Sequence, residues 1–184
     1  GGPLTVSLSS TSPAANTIPE GVPVVFSSFD LIAGATDVSV TSIKVTALGL
    51  GDATDIDSVT MYNNGSKVGT SKNINSDRYA TFNFATPIKV TANTTTQIDV
   101  KAKLTIDADT SGYYGLGIAA ATDMTTDASA VGGSFPVNGA TMYGADGTAT
   151  VGALTFDAGD SDTTAKVGED GVNVVEFTAA ASST

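Results

Sequence analysis

The chain has no cysteine, no histidine and no tryptophan among its 184 residues, and each absence removes a class of chemistry. Without His or Cys there is no Ser-His-Asp triad, no thiol nucleophile and no zinc or copper site of the usual ligand types. The metal left open is a hard, oxygen-liganded cation such as calcium. Missing cysteines also remove disulfides, so they do not identify the redox compartment. Aromatics are scarce, at 7% of the chain, which argues against a carbohydrate-binding platform. Bases are scarce too, 8 Lys and Arg against 19 Asp and Glu for a net charge of −11. They never cluster, so nucleic acid is a poor partner. No apolar run approaches the roughly 20 residues of a membrane span. The opening GGPLTVSLSS has neither the basic start nor the hydrophobic core of a signal peptide, and reads as a mature or excised segment. The Thr/Ser/Ala/Gly/Asn/Asp-rich make-up points to the cell exterior, and the acidic charge favours solubility there.

What is present is alternation. Most apolar stretches repeat with period two, the mark of strands with one buried face. Strands are predicted around Val38–Thr46, Ser58–Tyr62, Tyr79–Phe84, Gln97–Leu104 and Gly112–Ala119. Val38 and Val40 fall on one parity and Ile43 and Val45 on the other, which predicts a bulge or a change of sheet at Thr41-Ser42. Asn63-Asn64-Gly65-Ser66 is a hairpin signal, because Asn-Gly tolerates positive φ. No segment carries a helical period with a cap and a stop. Short strands punctuated by Gly, Asn and Asp predict an all-β sandwich. The domain expectation is a sandwich over 1–125, a closing hairpin or Gly-rich connector over 126–150, and a partial second repeat over 151–184.

That repeat is legible residue by residue. Leu4-Thr5-Val6 returns as Leu154-Thr155-Phe156, Glu20-Gly21 as Asp170-Gly171, and Val22-Pro23-Val24-Val25 as Val172-Asn173-Val174-Val175, each 150 residues on. The run GATDVSVTSIKVTALGLGDATDIDSVTMYNNGSKVGTS, followed by RYATFNFATPIKVTANTTTQIDVKAKL, resembles an immunoglobulin-like surface module. Such modules recur in tandem in secreted, S-layer-like and filament-forming proteins of bacteria and archaea. The resemblance covers about residues 4–120, and the tail repeats its first part. It implies an immunoglobulin-like β-sandwich at a cell surface and names no ligand. It would have an Asp-Val-x-Val strand follow Ser182-Ser183-Thr184.

Two strands alone cannot bury their apolar faces, so the second repeat needs a cover. Three sources stand open: the next strands of a longer tandem array, the chain's own sandwich, or a neighbouring copy entered by β-strand addition. The last makes a head-to-tail contact that propagates into a filament. The leading expectation is therefore a non-enzymatic, structural subunit of an extracellular filament, pilus-like fibre or surface layer, a homopolymer of this chain. Its complementing surfaces would be Leu4, Val6, Leu8, Val22, Val24 and Val25 with Leu154, Phe156, Val172, Val174, Val175 and Phe177. The alternative is an adhesive or carbohydrate-binding module excised from a tandem-repeat surface protein.

Other candidate sites have plainer readings beside them. Asp107-Ala108-Asp109-Thr110-Ser111-Gly112 matches the first half of a calcium loop, but the twelfth position is Ile118 instead of a bidentate Glu. Asp107, Asp109 and Ser111 are thus calcium candidates that an acidic turn also explains. Asp157, Asp160 and Asp162 form a further candidate group, and Asp52, Asp55 and Asp57 another, each equally readable as solvated turn carboxylates. Asn64 and Asn93 open glycosylation acceptor patterns in predicted loops. Tyr113, Tyr114 and Tyr143 suggest a sugar platform, although alternation sends Tyr113 and Tyr114 to opposite faces.

Overall fold

The computed structural model describes residues 1–109, 111–145, 154–159, 164, 167–168, 170, 172 and 176–181. The chain divides into two compact units, Gly1–Gly147 and Thr148–Thr184. The first is an all-β sandwich whose strands are β1 (Leu4–Leu8), β2 (Asn16–Pro19), β3 (Val24–Ala33), β4 (Val38–Leu48), β5 (Ile56–Asn63), β6 (Ser66–Lys72), β7 (Tyr79–Val90), β8 (Thr95–Leu104), β9 (Tyr113–Ile118), β10 (Met124–Thr126), β11 (Val131–Gly132), β12 (Val137–Asn138) and β13 (Met142–Ala145). Among the described residues the helices are two single 3-10 turns, Ala53–Asp55 and Ala121–Asp123.

One sheet runs β11-β1-β3-β8-β5-β6, and the other runs β10-β4-β9-β13-β2 with β7 beside β4 and β12 beside β9. β1, β3, β8 and β5 lie side by side in the first sheet, and β4, β9 and β13 in the second. β6 extends the first sheet, the chain crosses to add β7 against β4, and it returns with β8.

Alternation accounts for the strands. In β8, Thr96, Ile98, Val100, Ala102 and Leu104 turn inward, while Gln97, Asp99, Lys101 and Lys103 stay at least partly exposed. Facing them across the sandwich are Ile43, Val45, Phe82, Leu116 and Ile118, part of one continuous apolar core with Phe26, Phe29 and Leu31. The parity change predicted at Thr41-Ser42 is present. Val40 pairs with Ile88 but Ser42 pairs with Asn83, so Thr41 stands opposite residues 84–87 of β7. The Asn-Gly turn closes β5 on β6 with Asn63 opposite Ser66, Asn64 at φ 47° and Gly65 at φ 79°, as a primed hairpin turn requires.

Residues 126–145 belong to this sandwich, and the expected closing hairpin is corrected. β12 and β13 do not pair with each other; they follow one another along the same strand, β9. Val137 faces Ile118 and Asn138 faces Gly117; beyond the Gly139-Ala140-Thr141 break, Met142 faces Tyr114 and Tyr143 faces Tyr113. Gly117 permits the close approach, since a Cβ there would lie 2.6 Å from the Asn138 Oδ1. The outer side of β13 takes β2 in parallel, Met142 opposite Asn16 through Ala145 opposite Pro19.

The second unit contains one antiparallel pair, β14 (Leu154–Ala158) with β15 (Phe177–Ala181). The ladder continues one step through the Gly159 amide, which donates to the Glu176 carbonyl at 2.8 Å.

Candidate functional site

The two halves of the internal repeat meet very different surroundings. β1 lies in its own sandwich. It pairs with β3 from Leu4–Ala33 to Leu8–Phe29, and Leu4 and Val6 are fully buried. The expectation that Leu4 and Val6 form an exchangeable surface is corrected on this ground: both are core residues of their own unit. Leu8 and Val22 are exposed, and Val24 and Val25 are half-buried in β3, opposite Ala102 and Lys101.

β14 occupies residues 154–158, 150 positions after the 4–8 of β1. Its partner β15 corresponds to residues 27–31 of β3. The register differs by two residues, because Leu8 faces Phe29 whereas Ala158 faces Phe177 instead of Ala179. A slip of two preserves which side chains share a face. Phe156, Ala158, Phe177 and Ala179 therefore form one apolar face, with Asp157 and Thr178 on the other. The two rings meet edge to face at 5.9 Å between centroids. They remain exposed, Phe156 by 62% and Phe177 by 63%. Leu154 lies in β14 by its backbone and Val172 is partly buried; Val174 and Val175 lie outside the described residues.

The acidic loops fold back on their own chain. The Asp109 carboxylate accepts from the Ser111 hydroxyl at 2.7 Å and the Ser111 amide at 2.9 Å. Those two bonds hold its pKa below the usual carboxylate range. Asp52 caps the 3-10 turn by accepting from the Thr54 amide at 3.0 Å, which likewise lowers its pKa. Asp55 accepts from the Tyr114 hydroxyl at 2.6 Å, and Asp57 pairs with Lys103 at 2.5 Å. Asp107 and Asp157 are exposed. Among the described residues no three acidic side chains converge on one point, and Ser111 is the Asp109 carboxylate's partner in a local turn. Asp160 and Asp162 lie outside the described residues.

Asn64 and Asn93 both sit exposed at turns, in left-handed backbone with φ 47° and 58°, which asparagine tolerates. Tyr114 is a core residue. Burial, reinforced by Asp55, pushes its phenol pKa well above the ordinary value. Tyr113 and Tyr143 pack at 6.4 Å with planes 53° apart, so the pair is tilted and does not make a flat platform.

Sequence reasoning passed over three groups that organise the sandwich. The Arg78 guanidinium donates to the carbonyls of Gly49 and Gly51 at 3.1–3.3 Å, pinning the loop before Asp52. Asp123, nearly buried, pairs with Lys44 at 2.6 Å and accepts from the Ala120 amide at 3.1 Å. Glu20 is 4% exposed and neither carboxylate oxygen has a hydrogen-bond partner among the described residues. The repeat had given Glu20 a signal only as the counterpart of Asp170, which is exposed.

No family model matches the chain, and no curated protein matches it. A solved family 123 glycoside hydrolase from Clostridium perfringens, described for glycolipid glycan hydrolysis, is similar over 78% of this chain, at 11% identity and a TM-score of 0.46. The chain spans 27% of that protein. The exclusion of catalysis drawn from the sequence is corrected by this neighbour, an enzyme, and no longer stands; a likeness at that level assigns the chain no activity of its own.

Proposed function

We propose that this protein is an extracellular structural subunit that assembles head-to-tail by β-strand complementation, building a filament, pilus-like fibre or surface layer. One observation carries the reading: a two-stranded hairpin that repeats the β1–β3 layout of the sandwich and leaves a phenylalanine pair exposed on its single apolar face. A lone hairpin is marginal in water. Covering each ring would contribute about 1.5–3 kcal/mol, and backbone pairing with a sheet edge would add direction and register. The composition supports an exterior setting, rich in Thr, Ser, Gly, Asn and Asp with no reactive thiol.

Electron microscopy and light scattering of the purified chain over a concentration series test the reading. Regular, concentration-dependent polymers are expected, and removal of residues 152–184 should abolish them. A chain that stays monomeric throughout the series defeats it, and so does undiminished polymerisation after the deletion.

A further inference from the structure

Of the nine asparagines in the chain, Asn64 and Asn93 alone have a hydroxyl residue two positions on, Ser66 and Thr95, with no proline between. That spacing is the acceptor pattern of N-glycosylation, and by itself it does not say whether a transferase could reach the asparagine. The fold adds an independent coincidence. Among the described residues, the same two are the asparagines with positive φ, the conformation of a residue at the apex of a tight turn.

Asn64 opens the two-residue turn between β5 and β6. Asn64, Gly65 and Ser66 are all exposed, and nothing lies within 4 Å of the place a Cβ on Gly65 would take. Asn93 is the third residue of the turn Thr91–Thr94, which the Thr94 amide closes on the Thr91 carbonyl at 3.1 Å. The Thr94 hydroxyl turns back onto that carbonyl at 2.7 Å, and the Asn93 amide donates to the Gly34 carbonyl at 2.8 Å. The backbone is anchored while Asn93 and Thr95 stay exposed.

The side chains the pattern needs are also uncommitted. Asn16 and Asn75 accept from the amides of Thr17 and Tyr79 at 2.9 and 3.0 Å, which ties their carboxamides to the chain. Among the described residues the side chains of Asn64, Ser66, Asn93 and Thr95 have no hydrogen-bond partner.

Both turns lie at one end of the sandwich. Asn63 faces Ile98 in β8, a strand that starts at Thr95. Gly34, which holds Asn93, also donates to the Pro3 carbonyl at 2.9 Å, where the chain enters β1. The last strand, β13, ends at the opposite end. Ala145 accepts from the Glu20 amide there at 3.4 Å, and Gly21 donates to Leu104, the far end of β8, at 2.9 Å.

We propose that Asn64 and Asn93 are N-glycosylation sites, each taking an oligosaccharide from a lipid-diphosphate donor at the end of the sandwich by which the chain enters. In the transfer the Asn Nδ2 bonds to the anomeric carbon of the first sugar. The bond from that carbon to the diphosphate oxygen breaks, the lipid diphosphate leaves with the electron pair, and the carboxamide gives up one proton. The inference rests on the exterior setting of the reading above and does not depend on assembly.

Peptide mapping by mass spectrometry, on the full chain purified from the cells that make it, tests this. Asn138, exposed and outside the pattern, is the internal control. The Asn64 and Asn93 peptides are expected to carry a sugar mass, and the Asn138 peptide none. Ser66→Ala and Thr95→Val, expressed in the same cells, should each lose the sugar at their own site alone, with thermal unfolding showing that the sandwich still folds. A bare Asn64 or Asn93 peptide from the wild type overturns that site. A sugar that survives Ser66→Ala or Thr95→Val overturns enzymatic transfer there. Electron microscopy of the same preparations reads assembly separately. Filaments of an unglycosylated chain overturn this inference and leave the assembly reading standing, whereas a glycosylated chain that stays monomeric does the reverse.

Discussion

β1 with β3, and β14 with β15, are two versions of one hairpin, and they differ in what covers them. In the first, Leu4 and Val6 are fully buried beneath the second sheet. In the second, Phe156 and Phe177 occupy comparable alternating positions and are more than half exposed. Sequence layout and even facing are shared, with the ladder shifted by two. The lesson is that alternation specifies which face must be covered, while the cover itself comes from elsewhere in space.

The largest expected effect sharpens this contrast directly. Val6→Asp would bury an unpaired charge between two sheets, costing more than about 4 kcal/mol, and thermal unfolding should show a collapsed or absent transition. Phe177→Asp in the hairpin should leave the melting of the sandwich within about 0.5 kcal/mol of wild type and abolish concentration-dependent assembly. Equal destabilisation by the two would mean that the hairpin is already part of a shared core.

The same comparison holds for the paired acids. Glu20 is buried without a hydrogen-bond partner, and Asp170, its counterpart in the repeat, is exposed. An unsatisfied buried polar group costs about 1–3 kcal/mol, and replacement by an apolar residue of similar shape relieves that cost. Glu20→Met should therefore stabilise the sandwich and raise its Tm by roughly 2–4 °C per kcal/mol gained. Asp170→Asn should leave the Tm unchanged. A fall in Tm with Glu20→Met would mean that the carboxylate has a partner, such as an ordered water, that compensates its burial.

How much of this was legible in the chain follows from which forces are local. The Asn64-Gly65 hairpin, the parity change at Thr41 and the alternation of β8 depend on neighbours in sequence, and all are present in the sandwich. β2 was not readable, because Asn16-Thr17-Ile18-Pro19 has no alternation worth a strand and forms only because β13 offers a parallel edge. The split strand β12–β13 looks like a hairpin or a connector in sequence for a similar reason: its partner is β9, about 20 to 30 residues earlier, and no turn chemistry points there. Among the site candidates, acidic spacing alone suggested a cation loop at Asp107–Ser111. In the structure Ser111 donates to Asp109, an interaction that the same six residues also encode.

The smallest effect concerns Asp55 and Tyr114, which join the start of β5 to β9 inside the first unit. Burial first, and Asp55 second, raise the Tyr114 phenol pKa well above its ordinary value, so the folded state favours the protonated phenol. In the unfolded chain that group ionises near pH 10. Its contribution is full below that pH, declines as pH rises from there towards the higher folded value, and is gone above it. Tyr114→Phe removes the 2.6 Å hydrogen bond to Asp55 and should cost about 1 kcal/mol at neutral pH. Stability measured by urea unfolding should then fall less steeply for the variant than for the wild type above pH 10. Parallel pH profiles would mean that the phenol ionises at the same pH in the folded and unfolded chain, and would put the ordering of this end of the sandwich on Arg78 and its two carbonyl bonds instead.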